Sequence, residues 1–267
     1  DVPKECDLIV YSRAVPETHP QRQEARKRGI FEMSYPEVLG ELSQSRTTIA
    51  VAGMHGKSTT TAMLGLVAQV AGLDPLVIVG TLVPQFSLIP SPKIGEGEGG
   101  VFGSNLLPGK GDLFIVEACE FSGHFQTLNP DYLIITNIDA DHLDYFKTQE
   151  NIDTAFRAFA GNSKKKIIAC GDDDGCRRVL GGLENVIWYG FGDTAQVTGK
   201  VEQGRLVVET SRGDVSAEKV ERRPRGASLQ VPGNHNALNA LAVIAMSLTL
   251  CIDDVITKKA LESFTGT

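Results

Sequence analysis

The sequence predicts an α/β fold: a mostly parallel central sheet flanked by helices, carrying a phosphate-binding loop and a small antiparallel strand region. Three observations predict it. Short β-branched apolar runs alternate with segments of helical spacing through the first two-thirds of the chain. The stretch Thr47–Thr61, TTIAVAGMHGKSTTT, passes from an apolar run through a glycine turn into a helical pattern. From Thr194 to Leu229 the pattern changes to short alternating stretches with Gly-Arg and Arg-Gly turns, which read as antiparallel strands appended to the sheet.

The elements follow in order. Leu8–Tyr11 is a short strand with nothing ahead of it to pair with, and Glu24–Lys27 belongs to a helix ending before Gly29. Thr48–Ala52 is a central strand, Lys57–Ala71 a helix and Leu76–Val79 a buried strand. Gly80 to Lys110, with the run GEGEGG at Gly95–Gly100, reads as a surface loop or the remains of a hairpin. Strands follow at Leu113–Val116, Tyr132–Thr136, Lys166–Cys170 and Val186–Tyr189, with an amphipathic helix at Asn151–Phe159. Asn234–Leu250 is a strongly apolar helix and Asp253–Phe264 another.

Thr47–Thr61 carries the most specific chemistry. Gly53 and Gly56 let the backbone bend and approach an anion. Backbone N–H groups and the start of the following helix then point at phosphates. Lys57 supplies a mobile positive charge for β/γ-phosphate oxygens, and Ser58 a hydroxyl for Mg²⁺. The general pattern has four residues between its first glycine and Gly-Lys; here two residues, Met54 and His55, stand between Gly53 and Gly56.

Acids and amides cluster where strands end. In an open parallel sheet, ligands bind beyond the carboxyl ends of strands. Glu117 closes Leu113–Val116 and can face a phosphate-bound Mg²⁺; a strand-end surface acid is the other reading. Glu120, three residues on, fits an outer ligand. Thr136-Asn137-Ile138-Asp139-Ala140-Asp141-His142-Leu143-Asp144 runs from a strand into Asp and His. His142 can ligate a divalent ion with Asp141 or Asp144 holding its second nitrogen; a surface imidazole or helix cap fits the same residues. Asn236 and Asn239 share a face at a helix start, where amides suit the edge of adenine or simply cap the first turn. There is no GxSxG.

Bulk properties narrow the partners. A net charge of −7 opposes a nucleic-acid or anionic-membrane surface. The five cysteines, scattered without CxxC spacing, suit a reducing cytoplasm. No apolar stretch reaches the ~18 residues of a membrane span. Asp1 and the turn-like Ser263–Thr267 read as cut ends of a longer protein.

Together these motifs resemble the Mur ligase family, ATP-dependent amide ligases of peptidoglycan assembly. Gly53–Thr61 is similar to the family's GTHGKTTTT loop, which has the same short spacing. Val116–Glu120 is similar to AEADE, Thr136–Asp144 to TNIEADHMD, and Gly233–Asn239 to GRHNALN. Tyr11–Pro16, Ala25–Ile30, the short Leu128–Asp131 connection and the lack of a lysine after His142 resemble the alanine-adding branch. The resemblance implies residues 1–46 as the tail of a UDP-substrate domain, 47–262 as a central ATP-binding domain, and 263–267 as the start of a hinge. It implies ATP and Mg²⁺, with UDP-N-acetylmuramate and L-alanine as substrates, and a cytoplasmic setting. It implies that Lys57, Glu117 and His142 are catalytic and that Ser58, Glu117 and His142 hold metal. Gly53, Met54, His55, Gly56, Lys57, Ser58, Thr59, His235, Asn236 and Asn239 would bind the nucleotide. Met54, Ser58 and Cys119 depart from the usual Thr, Thr and Asp. An ATP-binding module without ligase activity, a tripeptide-recycling ligase, a folylpolyglutamate synthase and a cyanophycin-type synthetase are the alternatives.

Overall fold

The computed structural model describes residues 2–86, 103–140, 143–210 and 225–267. The chain begins with β1 (Leu8–Tyr11), α1 (Pro20–Lys27), β2 (Phe31–Ser34) and α2 (Tyr35–Ser45). β1 pairs with β2 in parallel, Leu8 opposite Phe31, so the first strand finds its partner later in the chain, in a strand the sequence reading did not include. A strand of four residues with Glu and Ser in it carries too weak a pattern to be read alone. α2 has a legible start: Ser34 and Glu37 form a capping box, with Pro36 in the first turn.

Then come β3 (Thr47–Ala52), α3 (Lys57–Val70), β4 (Leu76–Val83), β5 (Ser104–Leu107), β6 (Leu113–Glu117) and β7 (Tyr132–Ile135). Helices α4 (Leu143–Phe146) and α5 (Gln149–Gly161) lead to β8 (Ile167–Cys170), α6 (Asp174–Leu180) and β9 (Val186–Gly190). The chain closes with β10 (Val197–Glu202), β11 (Arg205–Thr210), β12 (Arg225–Ala227), α7 (Asn234–Thr249) and α8 (Asp254–Ser263). The main sheet has ten strands in the order β12-β11-β10-β9-β8-β7-β3-β6-β4-β5. β4 through β10 in that order run parallel; β5 closes one edge antiparallel, and β11 and β12 the other.

Most expected elements are present, with two adjustments. β10 pairs in parallel with β9, so the antiparallel region starts one strand later. Its turn, Gln203-Gly204, has both residues at positive φ (49° and 77°), the geometry of a two-residue hairpin. The region between Gly80 and Lys110 holds the end of β4 and all of β5, and its GEGEGG run lies outside the described residues.

β3 is the middle of the sheet, between β6 and β7. Its residues Ile49, Ala50, Val51 and Ala52 are all fully buried, as a strand covered on both faces requires. The chain leaves β3 for β4 past the position β6 later fills, then continues on the other side with β7. The end of β3 is therefore the switch point of the sheet. α3, α7 and α8 form one group of helices against the sheet. α7 is buried along most of its length, from Ala237 to Leu248, matching its unbroken apolar composition. α5 and α6 form a second group with the 3₁₀ turns at Phe121–Thr127. There Phe125 meets Phe156 at 5.2 Å and Phe159 at 4.7 Å between ring centroids, all three buried.

Two predictions follow from this packing. Phe156→Ala removes an anchor of the aromatic cluster and costs about 3–5 kcal/mol of stability, read from urea unfolding. The second concerns pH. Burial pushes the Cys170 thiol up to about 11 from 9.0, and burial also raises Cys176 and Tyr189. The folded state then keeps a proton that the unfolded chain releases, so stability falls as pH rises from 9 toward 11. Unfolding at pH 8 and pH 10 measures the loss; Cys170→Ala flattens that slope by about 1–2 kcal/mol.

Candidate active site

The bend between β3 and α3 is set by contacts a side chain would break. Gly53 has φ +134° and Gly56 φ +80°. A Cβ on Gly53 would lie 2.1 Å from Thr136 Oγ1, and one on Gly56 2.4 Å from Asn239 Oδ1. The turn is therefore a cradle that any larger residue would fill, with the first amides of α3 opening onto it.

Lys57 folds back over this bend. Its Nζ donates to Gly53 O at 2.7 Å and Met54 O at 3.2 Å. It also pairs with Glu120, 3.0 Å from Oε2 and 3.1 Å from Oε1. The Lys57 and Glu120 side chains are only 13% and 2% exposed, so this ion pair is held largely away from water. Glu120, expected as an outer ligand, lies on the lysine.

Glu117, at the end of β6, reaches the first turn of α3. Ser58 Oγ donates to Glu117 Oε1 at 3.1 Å, and Gly80 N donates to Oε2 at 2.6 Å. A hydroxyl and a carboxylate thus converge beside the cradle, a hard oxygen pair that suits Mg²⁺ together with phosphate oxygens. Among the described residues no group of three or more His, Cys, Asp or Glu side chains could hold a metal alone. Asp141 and His142 lie outside the described residues.

β7 closes the other side. Asn137 Oδ1 accepts from Met54 N and His55 N, each at 2.9 Å, and Asn137 Nδ2 donates to His55 O at 2.9 Å. Thr136 Oγ1 donates to the same His55 O at 2.6 Å. These two residues were quoted in the sequence as part of a motif, without a role. Their signal was the Thr-Asn pair at a strand end next to the loop.

The remaining residues divide. Met54 is 6% exposed, and its side chain packs in the core while its backbone belongs to the loop. His55 is exposed, and Thr59 is half-buried. At the start of α7, His235 is exposed, while Asn236 Nδ2 donates to Pro232 O at 2.8 Å. Asn239 is buried against Gly56. The sequence treated both asparagines alike; the structure gives only Asn239 a place at the loop.

A cavity of about 300 Å³ opens beside Glu117, lined by Tyr35, Gly80, Cys119, His124 and Phe125 among others. Burial, then the charge of Glu117, raises the Tyr35 phenol. Burial, then the charge of Arg13, lowers the His124 imidazole. The cavity thus favours neutral side chains around one carboxylate.

Fold and loop together define a P-loop α/β domain with its glycine bend at the sheet's switch point. The Mur ligase middle domain pattern matches residues 51–247. The chain belongs to the Mur ligase family. It is 36% identical over 276 residues to UDP-N-acetylmuramate–L-alanine ligase of Desulfitobacterium hafniense, covering 99% of this chain and 55% of that one. Against the crystal structure of UDP-N-acetylmuramate-alanine ligase from Thermotoga maritima the TM-score is 0.72 at 25% identity, covering 98% of this chain and 55% of that one. The ligase for UDP-N-acetylmuramate and L-alanyl-gamma-D-glutamyl-meso-diaminopimelate from Neisseria meningitides shares the fold. There the TM-score is 0.73 at 21% identity, covering 98% of this chain and 79% of that one. The chain spans about half the length of the curated relatives it matches.

The cradle predicts a measurable coupling. Gly56→Ala destabilises by about 1–2 kcal/mol, because it combines a left-handed backbone with a contact on Asn239. In an Asn239→Ala background the same substitution costs less, and a double-mutant cycle reads the difference.

Proposed function

We propose that this chain is the ATP-binding part of an ADP-forming amide ligase that joins L-alanine to UDP-N-acetylmuramate in cytoplasmic peptidoglycan synthesis. The observation that carries the reading is the convergence of Lys57, Ser58 and Glu117 on the glycine cradle at the end of β3. The names of the relatives matched over nearly the whole chain supply the substrates. Residues 1–46 are the tail of a UDP-substrate domain, consistent with their separate two-stranded sheet, 47–262 are the ATP-binding domain, and 263–267 lead into a hinge.

In this reading the substrate carboxylate attacks the γ-phosphorus of ATP and ADP leaves, giving an acyl phosphate. The amine of L-alanine then attacks the acyl carbon, phosphate departs, and the amine proton is lost. Lys57, held by the loop carbonyls, exchanges Glu120 for the β/γ-phosphates, and the α3 amides hold the same anion. Ser58 and Glu117 would hold a first Mg²⁺ and His142 a second metal ion, which would supply charge neutralisation when bound. His235, Asn236 and Asn239 would bind the adenine end of the nucleotide. The chain's own contribution is positioning and electrostatic complementarity.

A second reading has one observation behind it. The chain spans only about half of its relatives, so it can act as a nucleotide-binding module without turnover. Calorimetry with Mg-ATP, paired with phosphate release in the presence of UDP-N-acetylmuramate and L-alanine, separates the two. Binding without substrate-dependent release selects the module. Lys57→Ala weakens Mg-ATP by at least about tenfold, since it removes a charge-assisted contact. Affinity equal to the parent's overturns the role given to Lys57.

A further inference from the structure

The loop is two residues shorter between its glycines than the general phosphate-loop spacing, and its polypeptide is tied in an unusual way. In a longer loop successive amides can wrap an anion. Here the amides of Met54 and His55 turn instead to a single side-chain oxygen, Asn137 Oδ1, at 2.9 Å each. The carbonyl of His55 takes Asn137 Nδ2 at 2.9 Å and Thr136 Oγ1 at 2.6 Å. The backbone carbonyl of Asn137 lies 3.3 Å from Met54 N as well. His55 is thus fixed at both its N–H and its C=O by the end of the neighbouring strand, although its side chain is exposed.

We propose that Asn137, assisted by Thr136, is a positioning residue for triphosphate recognition, a clamp that stands in for the internal bonds of a longer loop. The inference rests on the reading that this loop binds ATP. The clamp acts through the backbone. Asn137 holds the Met54–His55 segment; that segment presents the carbonyls of Gly53 and Met54; and those carbonyls prop Lys57 Nζ at 2.7 and 3.2 Å. A loop ordered beforehand spares the nucleotide the entropy of ordering it on arrival. The chemistry selects asparagine. Only an amide accepts twice and donates once from this spot without charge. Aspartate accepts but cannot donate, and it adds a negative charge beside phosphate.

The test uses the protein with Mg-ATP by calorimetry, adenosine by ligand-observed NMR, and amide hydrogen exchange. Asn137→Ala is expected to weaken Mg-ATP about tenfold or more, through the lost ordering and hydrogen bonds. Adenosine affinity is expected to change by less than about twofold, because the base and ribose do not sense the clamp. Exchange at Met54 and His55 speeds by about tenfold or more while Ile49–Val51 in β3 stay as slow as in the parent. Unchanged Mg-ATP affinity, or a parallel loss for adenosine, overturns the proposal. Should Asn137→Ala fail to fold, Thr136→Val removes one tie to His55 and is expected to shift Mg-ATP the same way by a smaller factor. In that case no shift, or fast exchange at Met54 and His55 in the parent, overturns it. A parent that does not bind Mg-ATP defeats the ATP reading, and the exchange rates of Met54 and His55 alone then decide whether the clamp exists.

Discussion

The structure depends on one constraint: the chain must reverse direction at the end of β3 inside a space with no room for side chains. β3 is flanked by β6 and β7 in the middle of the sheet, and the start of α7 presses on the bend from outside. Gly53 meets Thr136 from β7, and Gly56 meets Asn239 from α7. Every functional group near the bend is placed by an element that touches it. Lys57 and Ser58 belong to α3, Glu117 to β6, Gly80 to β4, and the Thr136-Asn137 pair ends β7. The sheet order is therefore the means by which distant parts of the sequence meet within hydrogen-bond distance.

The local charge sets what an anionic ligand would require of this acidic protein. Lys57 carries one positive charge; Glu117 and Glu120 carry two negative ones, so the three sum to −1. The molecule as a whole carries −7. Neither the field of the protein nor the immediate site attracts a triphosphate unaided. Binding on this reading needs a divalent cation to face Glu117, and it needs Lys57 to turn from Glu120 toward the phosphates. Glu120 then has a definite place: it holds the lysine in a buried ion pair at the cradle when the phosphates are absent. The contact lies in a poorly solvated setting, where breaking a charge pair is costly unless another anion takes its place.

Much of this was legible in the sequence because the carriers of the fold are local patterns. The apolar run of β3, the Gly-Lys-Ser turn and the apolar α7 all announce themselves within a few residues. The convergence of Ser58 with Glu117 followed from placing Ser58 at the helix start after β3 and Glu117 at the end of a strand in the same parallel sheet. What escaped were features whose cause lies elsewhere in the chain. β2 is a strand only because β1 pairs with it, and β5 because β4 offers it an edge. The burial of Met54 follows from the packing around the bend, and no spacing rule distinguishes it from an exposed loop residue. Asn236 and Asn239 share a helix face, yet one bonds its own cap and the other packs on the loop, because the partner of each is set by tertiary placement.

The contact between Asn239 and Gly56 has a consequence for how the site can be built. Gly56 precedes the first turn of α3, and Asn239, in the second turn of α7, packs against it, so the two helices meet there. On the reading proposed above, a nucleotide with its phosphates on the start of α3 would extend toward α7. α7 is buried from Ala237 onward and cannot slide without opening the core against β8, β9 and β10. The position of α7 against the bend is therefore set by the core and not by a flexible loop. A short phosphate loop suits such a frame, because with both ends of the ligand determined by rigid helices, extra loop residues would add only conformations to be lost on binding.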